Sequence, residues 1–288
     1  PKPEELRIAM GFAAERLGEV AVETIWNDGR RFSGRVALVT GAGGTLGGAV
    51  ATGFGREGAS VVVGYRSSRA AAEAVAAEIL AAGGAACAAE LDVTDQDSVD
   101  RFVARADETY GRVDVLVNTA GRLDEADTVR FEAMTAEAAT ALLMVDVIGT
   151  MRMCHAVIPL MRRHGRGVIV NFSSTYGNGI TPENPINWVP VTYCAAKGAI
   201  RGFTASLARD IAPEIRVNAL APGPISGNWE QEWGVSPNHI EEAKAMNPMR
   251  RFGDPREIAE SVLFLASDGA GYINGQVLHV EGGWVPAG

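Results

Sequence analysis

A phenol and an ammonium lie four residues apart in the segment Tyr193-Cys194-Ala195-Ala196-Lys197, and this spacing puts both on one face of a helix. A phenol with a pKa near 10 is a poor proton donor or acceptor at neutral pH, but a nearby positive charge stabilises its anion. Lowering that pKa by about three units takes roughly 4 kcal/mol, which needs the ammonium and a second cationic group together. Such pairs also occur by chance on helix surfaces, so the pair alone does not establish a site.

A second feature is an apolar strand that runs into a glycine-rich turn and then an alanine-rich helix, Val36 to Gly47 and beyond. Glycines let the backbone approach a pyrophosphate closely, and the first amides of the following helix bind its negative charge. A tight turn without a ligand is the alternative. The strand and helix that flank the turn favour a phosphate site.

Short β-branched runs alternate with Ala-rich helical segments along the chain, which indicates βαβ units. Right-handed crossovers then predict an α/β fold, a single Rossmann-like doubly wound parallel sheet of about seven strands with helices on both faces. Its ligand crevice lies beyond the carboxyl ends of the strands, where Gly41, Asn118, Ser174 and Pro222 fall. The predicted strands are 36–40, 60–65, 86–92, 113–118, 167–173, 215–220 and 276–281.

These motifs occur in the order of the short-chain dehydrogenase/reductase family, which the chain resembles from about residue 34 to its C-terminus as a carbonyl- or ketoreductase-like member. The motifs that carry the resemblance are Thr40–Gly47, Asp92-Val93, Asn118-Thr119-Ala120-Gly121, Ser174, Tyr193 with Lys197, Arg216–Gly223 and Gly275–Gly283. The resemblance implies a hydride transfer between a nicotinamide cofactor and a ketone or secondary alcohol. Tyr193 then protonates the nascent alkoxide, Ser174 orients the carbonyl, and Lys197 binds the nicotinamide ribose and assists Tyr193.

The resemblance also assigns the cofactor-binding positions. They are the phosphate turn, the ends of the second, third and fourth strands, the Tyr–Lys pair and the segment after the sixth strand: Gly41, Gly44, Thr45, Leu46, Gly47, Tyr65, Arg66, Ser67, Asp92, Val93, Asn118, Ala120, Gly121, Tyr193, Lys197, Pro222, Gly223 and Ile225.

Two residues depart from the family pattern at functional positions. Thr45 replaces the second glycine of the turn, and a β-branched residue resists positive φ and adds bulk near the pyrophosphate, although its hydroxyl can donate a hydrogen bond. Asp146 replaces the usual Asn that is held to support a water relay behind the lysine. An ionised Asp favours the ammonium and opposes a nearby tyrosinate. Either the carboxylate accepts the same water and the relay survives, or the catalyst is slower or differently specialised.

The end of the second strand indicates which cofactor is bound. An acidic residue there would accept hydrogen bonds from a ribose 2′-hydroxyl, whereas a guanidinium can clamp a 2′-phosphate. The sequence reads Tyr65-Arg66-Ser67-Ser68 and has no acid at this point. It therefore predicts NADP(H) rather than NAD(H), with an exposed Arg capping a loop as the alternative.

Composition excludes several classes of protein. A net charge of −9 and a pI near 5.1 argue against nucleic-acid binding, so the partner is expected to be a small molecule. The three cysteines are widely spaced without Cys-x-x-Cys or paired His, which predicts neither disulfides nor a metal site and fits a reducing cytoplasm. No uninterrupted apolar stretch approaches 18 residues or so, and no signal peptide is evident. Relatives commonly form homotetramers or homodimers.

The predicted domains are an N-terminal helical extension, 1–33, and a Rossmann-fold catalytic domain, 34–288. Apolar residues spaced 4-3-4-3 from Leu6 predict an amphipathic helix that packs on its own domain, joins a subunit interface or, less favourably, lies on a membrane. Substrate loops are expected at about 178–191, where an apparent insertion contains Trp188 and places it at the border of the substrate cleft, and at 225–251. The second loop carries Trp229, Trp233, Met246 and Met249, which either line an apolar or ring-containing substrate or pack a lid helix.

Two other functional classes remain open from the sequence. The chain could be a catalytically impaired nucleotide-binding homologue with a regulatory or assembly role, which Thr45 and Asp146 favour and the intact Ser174, Tyr193 and Lys197 oppose. It could also use the same site for a non-redox dehydration or isomerisation.

Overall fold

The computed structural model describes residues 30–123, 129–179, 191–227 and 236–284. Within these ranges, seven strands form one parallel sheet in the order β3-β2-β1-β4-β5-β6-β7. The strands are β1 (Val36–Thr40), β2 (Ser60–Tyr65), β3 (Ala85–Glu90), β4 (Val115–Asn118), β5 (Gly167–Phe172), β6 (Ile215–Pro222) and β7 (Val277–Val280). The predicted parallel sheet is confirmed, and the predicted strands differ from these by two residues or fewer at either end.

Helices connect the strands. They are α1 (Thr45–Arg56), α2 (Arg69–Ala81), α3 (Gln96–Tyr110), α4 (Ala136–Leu143), α5 (Thr150–Arg163), α6 (Val191–Asp210), α7 (Pro237–Met246) and α8 (Pro255–Ala266). Capping residues in the sequence explain where two of these helices begin. Asp95 caps α3 by accepting from the Asp97 amide, and Asp254 forms a capping box with Glu257 at the start of α8.

The helices bury both faces of the sheet, as the apolar side chains on both faces of the strands require. On one face Val61 and Val63 of β2 pack with Phe54 of α1 and the apolar faces of α2 and α8. On the other face Val62 packs with Phe102 of α3 and the inner faces of α5 and α6. Because successive side chains of a strand point to opposite faces, the Val-Val-Val run of β2 is buried on both sides.

In the sheet β1 lies between β2 and β4. The chain adds β2 and β3 on one side of β1 and the strands from β4 onwards on the other side, so the strand order reverses between β1 and β4. The loops after these strands therefore diverge and leave a crevice at their carboxyl ends, which is where open α/β sheets bind ligands. Thr40 ends β1 and Asn118 ends β4, and the two are paired in register.

A six-residue π-helix, Met144–Gly149, joins α4 to α5, so that residues 136–163 form one continuous helix. By length and composition this helix could cross a membrane, but half of its most apolar window is buried inside the protein. Met153, Val157 and Met161 pack in the core, as expected of a core helix. Asp146 lies in the π-helix, a type of irregularity that is frequent at functional sites.

The residues just before β1 pack on the domain. Arg31 forms an ion pair with Glu57 at 2.9 Å, and the fully buried Phe32 contacts Phe54 edge-to-face with ring centroids 4.8 Å apart. The predicted division places both residues in the N-terminal extension, 1–33. The amphipathic helix predicted from Leu6 onwards lies outside the described residues, and the division at residue 33 stays a prediction.

We expect Asp114→Ala to destabilise the fold by about 3 kcal/mol, because it removes a buried carboxylate that bridges two strands. Asp114 is 3% exposed and accepts from the Val36 amide at 2.8 Å and from the Arg112 guanidinium at 2.8 and 2.6 Å. Urea unfolding followed by circular dichroism measures the change. Asp210→Ala, at an exposed position, is the control, and equal stability of the two variants would contradict the prediction.

Candidate active site

The loop after β1 is held between the neighbouring strands. The Ala42 amide donates to the Gly64 carbonyl at 2.7 Å, and the Ala120 amide donates to Thr40 Oγ1 at 3.0 Å. The Thr119 hydroxyl in turn donates to the Thr40 carbonyl. These bonds fix the turn against the ends of β2 and β4, so its shape does not depend on a ligand.

Two glycines of this turn are required by close backbone contacts. A Cβ at Gly41 would lie 2.9 Å from Ala120 Cα, and the φ of +62° there also favours glycine. A Cβ at Gly47 would lie 2.6 Å from the Gly41 carbonyl oxygen and 2.8 Å from Ala42 Cα. Gly44 differs, because its Cβ would meet only the Gly41 oxygen at 3.4 Å, and the residue is exposed. Gly44 is therefore the most exposed residue of the described turn and is open to a ligand.

Thr45 is the first residue of α1, with Gly44 as the N-cap. Among the described non-glycine residues, Arg250 has a positive φ and Thr45 does not. The expectation that a β-branched residue would be strained at this position is therefore wrong, because the helical backbone accommodates threonine. Because Gly44 has no side chain to cap the first-turn amides and that turn has no acidic residue, the amide groups of Thr45, Leu46 and Gly47 are suited to an anion.

Ser174, Tyr193 and Lys197 meet at the carboxyl end of β5. Ser174 follows the strand and starts a short 3₁₀ turn, where its Oγ accepts from the Tyr176 amide at 3.2 Å. Tyr193 and Lys197 lie one turn apart on α6, and the nearby Ser174 hydroxyl acts to lower the pKa of Tyr193. The Lys197 ammonium is 5.3 Å from the centre of the Tyr193 ring and donates to the Phe172 carbonyl at 3.2 Å. The three residues that the sequence singles out for catalysis are thus brought together.

Asp146 joins this group by direct contact. Its Oδ2 lies 2.9 Å from Lys197 Nζ, and the side chains of Lys197 and Asp146 are 7% and 0% exposed. Its Oδ1 accepts from the Arg122 backbone amide at 2.8 Å. The sequence leaves open whether this carboxylate accepts the relay water or alters the catalyst, and the structure shows that it forms an ion pair with the lysine. The anchoring by a backbone amide has no signature in the sequence.

The charges of the site affect both titrating groups. Burial raises the pKa of Tyr193 above its ordinary value; the Lys197 charge lowers that pKa, the Asp146 charge raises it, and the net direction is upward. Burial lowers the pKa of Lys197, but the negative charges of Asp146 and Tyr193 outweigh burial and raise it. The ammonium therefore stays charged, whereas the protein's own groups do not bring the phenol pKa down towards neutrality.

A buried polar network lies beneath the site. Asn118 donates to Asn171 at 2.9 Å, and Asn171 donates to the Thr204 hydroxyl of α6 at 3.0 Å. The thiol of Cys154 lies 3.5 Å from the same Asn118 amide. These bonds link β4, β5, α5 and α6, so they fix the strand ends relative to the helix that carries Tyr193. Sequence reasoning identified Asn118 but not Asn171, although both are polar residues inside apolar strands.

The end of β2 offers a positive charge to a ligand. Tyr65 is buried, while Arg66 and Ser67 are exposed. Asp92 lies nearby: burial raises its pKa, but hydrogen bonds from Thr94 and the charges of Arg66 and Arg152 outweigh burial and lower it. The carboxylate is therefore held ionised beside the guanidinium.

Val93, the other cofactor-binding position predicted after β3, is buried next to Gly149 of the π-helix. A Cβ at Gly149 would come within 2.5 Å of Val93 Cγ2.

The segment after β6 closes the other side of the crevice. The Gly223 amide donates to the Val280 carbonyl at 3.1 Å, and Ile225 forms a bridge with Gly253. A Cβ at Gly227 would lie 3.4 Å from the Thr45 methyl group, so this segment reaches the first turn of α1. Pro222, Gly223 and Ile225 are thereby placed between the phosphate turn and the last strand.

The residues present fit a dinucleotide. An anion-accepting helix start, an exposed arginine after β2, and Gly121 line one crevice; a Cβ at Gly121 would lie 3.6 Å from Lys197 Nζ and from both Asp146 oxygens. Ala120 also lies in this loop, where its amide is bound to Thr40. Within the described residues, no three His, Cys, Asp or Glu side chains are grouped as metal ligands.

The predicted substrate loops are described only in part. Trp188, Trp229 and Trp233 lie outside the described residues. Met246 and Met249 are 42% and 58% exposed. Sequence reasoning missed Tyr176, whose ring packs edge-to-face on Tyr193 with centroids 6.2 Å apart. Its position two residues after Ser174 is the signal that could have found it.

The chain is similar to known proteins over most of its length. Residues 41–285 match the sequence model of a family described as enoyl-(acyl carrier protein) reductase. The chain is 38% identical over 259 residues to the 2,5-dichloro-2,5-cyclohexadiene-1,4-diol dehydrogenase LinX of Sphingobium indicum, covering 88% of this chain and 97% of that protein. It is 36% identical over 253 residues to a 3-oxoacyl-[acyl-carrier-protein] reductase of Synechocystis, covering 87% and 97%.

A solved structure is also similar. A double mutant of a Serratia marcescens short-chain dehydrogenase/reductase aligns with a TM-score of 0.79 at 30% identity, covering 88% of this chain and 99% of that one.

Gly47→Ala and Gly44→Ala should separate the structural and binding roles of the phosphate turn. We expect Gly47→Ala to destabilise the protein by about 1–3 kcal/mol, because its methyl group would overlap backbone atoms that cannot move aside. Gly44→Ala should leave stability within about 0.5 kcal/mol but weaken dinucleotide binding. Thermal unfolding and fluorescence titration with NADPH measure the two effects. Equal loss of stability in both variants would contradict this assignment.

Proposed function

The chain is an oxidoreductase of the short-chain dehydrogenase/reductase family, and we propose that it transfers a hydride between NADP(H) and a ketone or secondary alcohol. The observation that carries the proposal is the grouping of Ser174, Tyr193 and Lys197 beside the glycine-rich turn, with Lys197 fixed by Asp146 at 2.9 Å. A hydroxyl, a phenol and a held ammonium at one strand end can orient a carbonyl and protonate its oxygen.

Ser174, Tyr193 and Lys197 have different roles in the proposed proton transfer. A bound dihydronicotinamide supplies the hydride to the carbonyl carbon. Ser174 donates a hydrogen bond to the carbonyl oxygen, because its own Oγ is already oriented by the Tyr176 amide. Tyr193 gives its proton to the same oxygen, and the Lys197 ammonium stabilises the phenolate that remains. In alcohol oxidation these residues act in reverse, with the phenolate as base.

The proposed cofactor is NADP(H) rather than NAD(H). The exposed guanidinium of Arg66 follows β2 directly, and Ser67 and Ser68 beside it offer hydroxyl donors. Arginine binds a 2′-phosphate through charge-assisted hydrogen bonds, whereas an acidic residue typically accepts hydrogen bonds from a 2′-hydroxyl. The phosphate turn lies next to this strand end, since a Cβ at Gly43 would come within 2.1 Å of Ser68 Oγ.

The proposed substrate is apolar or contains a ring. The aromatic face of Tyr176 next to Tyr193 and the exposed Met249 favour such a substrate. The relative from Sphingobium indicum is named for a cyclic diol. We further propose that the protein is a homotetramer or homodimer, as the family resemblance implies. We also propose a cytoplasmic location, because Cys87, Cys154 and Cys194 are free thiols, as a reducing compartment maintains them.

The rival function, a binding protein without turnover, loses part of its support. Thr45 fits the start of α1 without strain, so it does not argue for an impaired cofactor site. Asp146 remains unusual, but its ion pair holds Lys197 in place. NADPH binding without oxidation by any ketone would favour the rival, and product formation without cofactor consumption would favour a non-redox reaction.

We expect Tyr193→Phe to lower kcat for ketone reduction with NADPH by at least about 100-fold, because the proton donor is removed while the ring is kept. NADPH oxidation at its absorbance maximum is the measurement, and circular dichroism checks the fold. Tyr272→Phe, at a fully exposed tyrosine, is the matched control and should retain wild-type turnover. Full turnover by the Tyr193 variant would refute the assignment.

We expect Arg66→Ala to raise KM for NADPH by roughly thirty-fold, the equivalent of about 2 kcal/mol for a charge-assisted phosphate contact. KM for NADH should stay within about twofold. Arg209→Ala is the control: it is exposed near the end of α6, about 24 Å along the helix from Tyr193. An equal rise in KM for NADPH and NADH would show that Arg66 does not bind the 2′-phosphate.

A further inference from the structure

The ion pair between Asp146 and Lys197 places a full negative charge inside the catalytic group. Both side chains are almost completely buried and 2.9 Å apart, so water screens their fields weakly. Neither is free to move away: Asp146 is held by the Arg122 amide at 2.8 Å, and Lys197 by the Phe172 carbonyl at 3.2 Å. The pair is therefore a fixed element of the site.

This fixed pair changes the field at Tyr193. A lone ammonium one helical turn away would stabilise the phenolate, but a carboxylate on the same ammonium cancels part of that stabilisation. Among the described residues, the other titratable groups that face Tyr193 are Cys194 on its own helix and Tyr176 on the 3₁₀ turn. Both are neutral when protonated, and Ser174 is neutral throughout. Within the described part of the chain, the balance between Lys197 and Asp146 therefore decides the net charge close to Tyr193.

We propose that Asp146 is a positioning residue that acts through Lys197 to extend the pH range over which Tyr193 remains a proton donor. The inference rests on the proposed function, because it assigns pH control to the same Tyr193. It accords with the upward direction of the Tyr193 pKa, to which burial contributes most and the charge of Asp146 adds.

The consequences for the two directions of the reaction follow from the protonation state that each requires. In reduction the carbonyl carbon takes a hydride from the dihydronicotinamide, which is oxidised, and the oxygen takes the proton of Tyr193. Reduction therefore needs the phenol and persists to higher pH when the Tyr193 pKa is higher. Oxidation of the alcohol needs the phenolate and begins only at higher pH. The overall equilibrium constant is unchanged, since Asp146 alters the pH limits of both rates together.

Asp146→Asn tests the proposal, because it removes the charge and keeps the shape. Tyrosinate absorbance is titrated in the full-length protein, and the curve of the same protein carrying Tyr193→Phe is subtracted to isolate Tyr193 from the other four of the five tyrosines. We expect the pKa of Tyr193 to fall by about one unit in the Asn variant. Asp146→Ser is a second neutral variant that should show the same shift, and Asp146→Glu, which keeps the charge, should titrate like the wild type.

Kinetics give an independent readout. In the Asn variant the alkaline limb of kcat/KM for ketone reduction and the acid limb for alcohol oxidation should both move to lower pH by about one unit. A Tyr193 titration that is unchanged or moves upward in both neutral variants would overturn the role of Asp146. A wild-type protein that turns over no carbonyl with NADPH would refute the proposed function instead, while the absorbance titration would still decide how Asp146 acts.

Discussion

A buried ammonium must be paired, and the contact between Lys197 and Asp146 is the constraint on which the rest of the site depends. Leaving either charge alone in the interior would cost several kcal/mol. The pairing therefore requires that α6 and the π-helix approach each other closely at one point. The extra residue per turn of a π-helix alters which side chains face inward, and Asp146 is the acidic residue that faces Lys197.

The sheet supplies the rigid frame for this contact. Parallel strands β4 and β5 end side by side, and the hydrogen bond between Asn118 and Asn171 joins them just below the crevice. Asn171 also binds Thr204 on α6, so the helix that carries Tyr193 is attached to the strands that carry Asn118 and precede Ser174. The polar network therefore fixes the distance between the catalytic residues and the phosphate turn on the neighbouring β1.

Much of this could be predicted from the sequence because the signals are local. The β-branched runs, the glycine-rich turn and the Tyr–Lys spacing each depend on neighbouring residues, and they give the sheet and three members of the site. The direct contact of Asp146 could not be predicted, since it depends on a π-helix and on a backbone amide of Arg122 from a distant loop. The strain expected at Thr45 was wrong because a family pattern gives residue types and not dihedral angles; here the position is helical.

The packing of Arg31 and Phe32 has a consequence for how the chain enters the domain. Phe32 lies against Phe54 near the end of α1, and Arg31 is paired with Glu57. Both contacts are at the edge of the sheet where β1 begins, whereas the reacting groups lie where the strands finish, about a strand's length of 15–20 Å away. The described part of the chain therefore enters the domain behind the sheet, and Arg31 and Phe32 leave the mouth of the crevice unobstructed.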